Sequence, residues 1–273
     1  MTTHFKNGVT NVVGKDGGSS VFSGIKQPLI TGGYEQEQAY QDDFNKYNAS
    51  DYETVTSTGG SDFQLAQFAG GWLRQGDNAP AAGEIQGVAG FDVWNFNANK
   101  KWMFETSMAI TDVSELNTWV GFAVDDYADS DTLPTDGIGF SHLQDTTTIQ
   151  FISRKNGAGV SFDMLDTSGG STFTMLDSTI ATQTATVQAI PANSVRLGFQ
   201  YQPAGSEVGV TANQFKLYLN GNAVGVQAAT TVPDDIALEI NIMGAHKGTN
   251  ANHLVVDYFN TFQSRVAGTG VSA

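Results

Sequence analysis

Asp125, Asp126, Asp129, Asp131 and Asp136 fall within one short stretch, DDYADSDTLPTD. Carboxylate oxygens are the ligands that hard cations prefer, and Ca²⁺ takes about six to eight of them. The stretch is therefore a candidate Ca²⁺ site, and no other cofactor is implied. Its spacing is not that of an EF-hand loop, and a solvated loop whose charges repel is the competing reading. Other chemistry is sparse. His4, His142, His246 and His253 show no ligand spacing and read as surface groups, although His246 and His253 could pair across a predicted loop. Glycoside hydrolysis needs two carboxylates about 5–9 Å apart. Glu105 stands alone on its predicted strand, and Glu239 has only Asn241 beside it. There is no nucleophile elbow, P-loop or Rossmann fingerprint. The expectation is a protein that is not an enzyme. Trp72, Trp94, Trp102 and Trp119 read as core rather than as a platform for sugars.

A second set of residues could make contacts rather than do chemistry. The first 33 residues break into short apolar pieces separated by Asn-Gly, Gly-Gly and Pro. Phe5, Val9, Val12, Phe22 and Ile25 are the apolar anchors there, and Lys6, Lys15 and Lys26 outnumber the single acid, Asp16. From Tyr34 to Asp51 the sign reverses. This pattern is too apolar for a solvated tail. It predicts either an extended basic arm that packs on a partner or an ordinary first strand and loop.

Composition limits the partners. The formal charge is −15, from 28 acidic against 13 basic residues. Wrapping nucleic acid needs Lys and Arg to neutralise phosphates, so nucleic acid is excluded as a partner. No run approaches the ~18 apolar residues of a membrane span. The opening residues lack the apolar core of a signal peptide, and there is no cysteine. Both fit assembly in a reducing cytoplasm.

These residues must be positioned by strands. In QFKLYLNG, Phe215, Leu217 and Leu219 alternate with Lys216, Tyr218 and Asn220. Successive side chains of a strand point to opposite faces, so this is a half-buried strand. Asn220-Gly221 supplies the positive φ of a type I′ hairpin turn, and Asn222 to Val226 starts the return. Residues 101–110 alternate in the same way. Thr118 to Val124 is apolar on both sides, which predicts a central strand covered on both faces. About fifteen strand-like runs follow one another with turn residues between them and no amphipathic helix. The pattern predicts an all-β antiparallel sandwich. An N-terminal extended arm is placed at 1–39, the sandwich at 40–265 and a tail at 266–273.

Three pieces in order resemble the concanavalin A-like lectin/glucanase (laminin-G-like) jelly roll. They are Phe215 to Gly221, Val255-Val256-Asp257-Tyr258-Phe259, and Asp136-Gly137-Ile138-Gly139-Phe140. The last is similar to the DG-x-x-F of L-type lectins, which implies that Asp136 lies near a sugar and metal site. Glucanases of this fold carry their acids as E-x-D-x-(x)-E on one strand, a run this sequence lacks. The opening Thr3-His4-Phe5-Lys6-Asn7-Gly8-Val9-Thr10-Asn11-Val12 resembles the start of tailed-bacteriophage structural proteins, especially head decoration and fibre proteins. This resemblance implies a capsid decoration or cement protein on the virion exterior, assembled in the host cytoplasm. Its partners would be the major capsid protein and copies of itself, as a trimer or dimer. The alternative is a carbohydrate-binding module of a phage head or tail fibre, with surface glycans as ligand.

Overall fold

The computed structural model describes residues 37–42, 44, 52–56, 63–65, 72–75, 81–90, 94–110, 116–124, 133–144, 148–164, 194–249 and 253–264. Among them every regular element is a strand. In chain order these are β1 Glu37–Asp42, β2 Tyr52–Thr56, β3 Gln64–Leu65, β4 Leu73–Arg74, β5 Ile85–Gly90, β6 Trp94–Asn95, β7 Trp102–Ile110 and β8 Leu116–Ala123. They continue as β9 Gly137–His142, β10 Ile149–Lys155, β11 Ala158–Asp163, β12 Val195–Gln202, β13 Gln214–Leu219, β14 Asn222–Ala228, β15 Ala237–His246 and β16 Leu254–Ser264.

The strands form two antiparallel sheets. The first runs β14-β13-β12-β7-β16-β4-β3, with β1 also paired to β16. The second runs β11-β10-β9-β8-β15-β5-β2, with β6 also paired to β15. Chain neighbours β7 and β8 sit near the middle of opposite sheets, which is the crossing pattern of a jelly roll. Asn156 and Asn220 have φ of 51° and 50°, and the glycines after them 76° and 81°. Positive φ at both central residues makes these type I′ hairpins.

Register sets the faces. Phe104 on β7 lies opposite Phe199 on β12 and Thr261 on β16. Phe140 on β9 lies opposite Phe151 on β10 and Val120 on β8. These residues turn inward, and rings from the two sheets meet. Phe104 and Phe122 have centroids 5.5 Å apart, Phe151 and Phe215 4.9 Å. All four tryptophans are in the interior, at 0–1% exposure. β7 and β8 are buried along their whole length, on both faces.

The histidines correct the sequence reading. His142, His246 and His253 are each 0% exposed. His142 and His246 face inward at one end of the second sheet. The His142 Nδ1 lies 3.0 Å from the Leu116 carbonyl oxygen, and His246 Nε2 lies 3.5 Å from Gln75 Nε2. His142 and His246 each bring one ring nitrogen to a hydrogen-bonding group that is far away in the chain, which sequence spacing does not show. His4 lies outside the described residues.

Candidate functional site

Asp136 begins the approach to β9 and is 7% exposed. Its Oδ1 accepts the Asn156 N–H at 3.0 Å, and its Oδ2 accepts the Thr135 hydroxyl at 3.1 Å. The Asp136 carbonyl accepts from the Val124 N–H at 3.0 Å, and Gly157 N–H donates to the Thr135 carbonyl at 2.9 Å. The end of β8, the start of β9 and the β10–β11 turn are thus tied at one carboxylate. Asp125, Asp126, Asp129 and Asp131 lie outside the described residues, between Val124 and Leu133. Among the described residues no three His, Cys, Asp or Glu side chains are grouped to hold a metal.

Beside this clamp is a shallow groove of about 420 Å³. Lys155, Asn156, Tyr201, Asn213, Thr230 and Asp234 line it. The Lys155 ammonium donates to Asp234 Oδ1 at 2.6 Å and meets Asp235 Oδ2 at 3.2 Å. These contacts raise the Lys155 pKa, Asp234 first and Asp235 next, while Lys155 holds Asp234 below the usual carboxylate value. The Tyr201 hydroxyl donates to the Ala98 carbonyl at 2.9 Å. Burial, and then the Asp234 charge, push its pKa to about 12. The groove therefore presents an ammonium, a carboxylate, amides and hydroxyls at one end of the sandwich. Such groups can exchange hydrogen bonds with a hydroxyl-rich ligand.

A second cluster lies on the outer face of the first sheet. Glu105 on β7 stands between Gly198 on β12 and Asn260 on β16. Its Oε1 accepts the Tyr258 hydroxyl at 2.9 Å, and its Oε2 is 3.9 Å from Arg196 Nε. Burial raises the Glu105 pKa, opposed by the Arg196 charge and the Tyr258 hydrogen bond. Burial also raises the Tyr258 pKa strongly. Gly198 puts no side chain over the carboxylate. Tyr218, beside it on β13, donates to Gln200 Oε1 at 3.2 Å. This arrangement can hold a protonated carboxyl. Glu239 faces Ala123 on the outer face of the second sheet, so the whole core separates it from Glu105.

The sequence reading singled out Asp136 but missed its neighbours. Lys155 and Asp234 are 79 residues apart, and Tyr258 and Glu105 are 153 apart. The only local signals were the Asn156-Gly157 turn after Lys155 and the Asp pair after Pro233. The arm residues Phe5, Lys6, Val9, Val12, Lys15, Phe22, Ile25 and Lys26 lie outside the described residues.

No protein-family model matches the chain, and no curated protein matches it in sequence. Solved structures do match. A Shewanella oneidensis MR-1 protein of unknown function is 11% identical, with 87% of this chain and 90% of that chain covered, at a TM-score of 0.50. The Emp47p carbohydrate recognition domain is 10% identical over 86% of this chain and 100% of that chain, at a TM-score of 0.51. The fold is that of the concanavalin A-like lectins and glucanases. Glycosidic hydrolases are also among the matches. Bacillus licheniformis beta-glucanase is 15% identical over 82% of this chain and 97% of that chain, at a TM-score of 0.45. This corrects the expectation that the chain is no enzyme.

Proposed function

We propose that the chain is a virion structural protein of a tailed phage, of the capsid decoration kind, that binds the major capsid protein through its N-terminal residues. The observation that carries this reading is the likeness of Thr3 to Val12 to the openings of such proteins. The placement of β1 is consistent with it. Glu37 pairs with Ser264 and Asp42 with Phe259, so β1 is fixed along β16. Whatever residues 1–36 grip is thereby coupled to the body of the sandwich. Phe5, Val9, Val12, Phe22 and Ile25 supply apolar area, and Lys6, Lys15 and Lys26 supply positive charge for acidic groups of the partner. The test is deletion of residues 1–36 followed by co-sedimentation with undecorated shells. Full-length protein saturates the shells and the deletion variant does not. Normal occupancy by the deletion variant sinks the reading.

A second reading is favoured by the groove. A lectin-like fold, with Lys155, Asn156, Asn213 and Asp234 lining one end, supports binding of surface glycans. A glycan array tests it. Saturable binding of one glycan class, lost in Asp234→Ala, supports a carbohydrate-binding module. An array with no signal above an unrelated sandwich protein removes it.

A further inference from the structure

We propose that β14 is a self-pairing edge through which two copies of this chain join their first sheets into one continuous sheet. Among the described residues β14 ends its sheet and pairs only with β13. An edge strand presents unpaired N–H and C=O groups, and proteins that remain monomeric blunt such edges with Lys, Pro or inward-pointing charge. β14 carries no Lys, Pro or charge, and its one blunting device is the bulge at Val224, which leaves the strand beyond it regular. No charged residue occurs between Lys216 and Asp234, in a chain whose net charge is −15. Val224 and Val226 on this strand are 41% and 53% exposed. The Ala229 N–H donates to the Asn213 carbonyl, so alternation directs Gln227 and Gly225 toward β13 and leaves the Val226 and Ala228 backbone groups for the open edge. The Gln227 side chain touches the Ala228 carbonyl at 3.4 Å, a weak contact that a strand would displace.

Charge selects a second copy as the occupant. Two copies of so acidic a chain repel, and β14 is the uncharged strip where they approach at least cost. The two ends of the strip also differ in sign. The Arg196 guanidinium lies against Gly221 at the turn into β14, while Asp234 and Asp235, which share the Lys155 ammonium and keep a net negative charge between them, follow its other end. Antiparallel pairing on a two-fold axis sets the basic end of each copy beside the acidic end of the other. Val226 then faces Val226 of the second copy, an isologous contact. The register shift between Leu217 and Tyr218 confines regular pairing to the strand after Val224. So short a pairing buries less than the roughly 1,200–2,000 Å² of a stable interface, so the dimer forms only at high concentration. This inference holds whatever residues 1–36 bind.

Sedimentation velocity of the full chain over a concentration series tests it, with Val226→Lys compared at each point. The chain has no cysteine, so Val226→Cys gives a clean oxidative cross-link. Val208→Cys, at a fully exposed loop position, is the collision control. Three results are expected. The wild type moves toward dimer mass as concentration rises, Val226→Lys stays monomeric with an unchanged melting temperature, and Val226→Cys cross-links while Val208→Cys does not. A wild type that is monomeric throughout overturns the proposal. So does association that survives Val226→Lys, or cross-linking that is equal at the two cysteines.

Discussion

Glu105 holds a carboxyl group in a place where its charge is disfavoured. Burial raises its pKa above the unfolded value, so the folded state binds this proton more tightly than the unfolded chain does. The contribution to stability is therefore full below the unfolded pKa and is lost as pH rises through the folded one. Glu105→Gln keeps an acceptor for the Tyr258 hydroxyl and carries no charge. Urea unfolding across pH 4 to 8 should show Glu105→Gln gaining on the wild type as pH rises, with the two curves meeting at the acid end. A gap that does not change with pH would show that the carboxyl is not the cause. Asp136 instead has both of its carboxylate oxygens engaged, by the Asn156 N–H and the Thr135 hydroxyl. Asp136→Ala strands the Asn156 N–H and should cost about 1–3 kcal/mol in the same assay. If the loss appears only in the presence of Ca²⁺, Asp136 acts as a metal ligand and the clamp account fails.

The edge strands close one side of the sandwich. A Cβ on Gly225 of β14 would lie 2.3 Å from Cζ of Phe162 on β11, so the ring rests on the bare glycine. Gly225→Ala should cost about 1–3 kcal/mol, the usual penalty of overpacking. Phe162→Leu in the same chain should recover part of it. Additive losses in the double-mutant cycle would mean that the two strands do not bear on each other there. At this scale the sequence is partly legible. β13 and its turn were readable because alternation and Asn-Gly agree, and β8 because both of its faces are apolar. β3, β4 and β6 are two residues each and exist only because a partner strand is offered, β16 to β4, β4 in turn to β3, and β15 to β6. The same limit hid the site. Register, not chain order, sets Tyr258 beside Glu105, and the β14–β15 connection carries Asp234 to Lys155. It also brings His142 and His246 inward, where spacing alone suggested surface.

For the molecule as a whole, charge is the dominant surface property. With 28 acidic and 13 basic residues, the compact chain repels itself, and salt screens that repulsion. Salt also screens the ion pairs, but those at Lys101–Glu207 and Lys155–Asp234 are partly exposed on both sides. Pairs of this kind are worth about 0–1 kcal/mol, so little is lost with them. The melting temperature should therefore rise as NaCl is added from a low-salt buffer. A fall would mean that local pairs outweigh the net repulsion. Replacing NaCl with CaCl₂ at matched ionic strength separates screening from binding. The described residues offer calcium no grouped ligands, and Asp136 is already committed to Asn156 and Thr135. The two salts should then give the same rise. A further increase with CaCl₂ that is lost on replacing Asp125, Asp126, Asp129 and Asp131 by Asn would place a cation in that acidic loop.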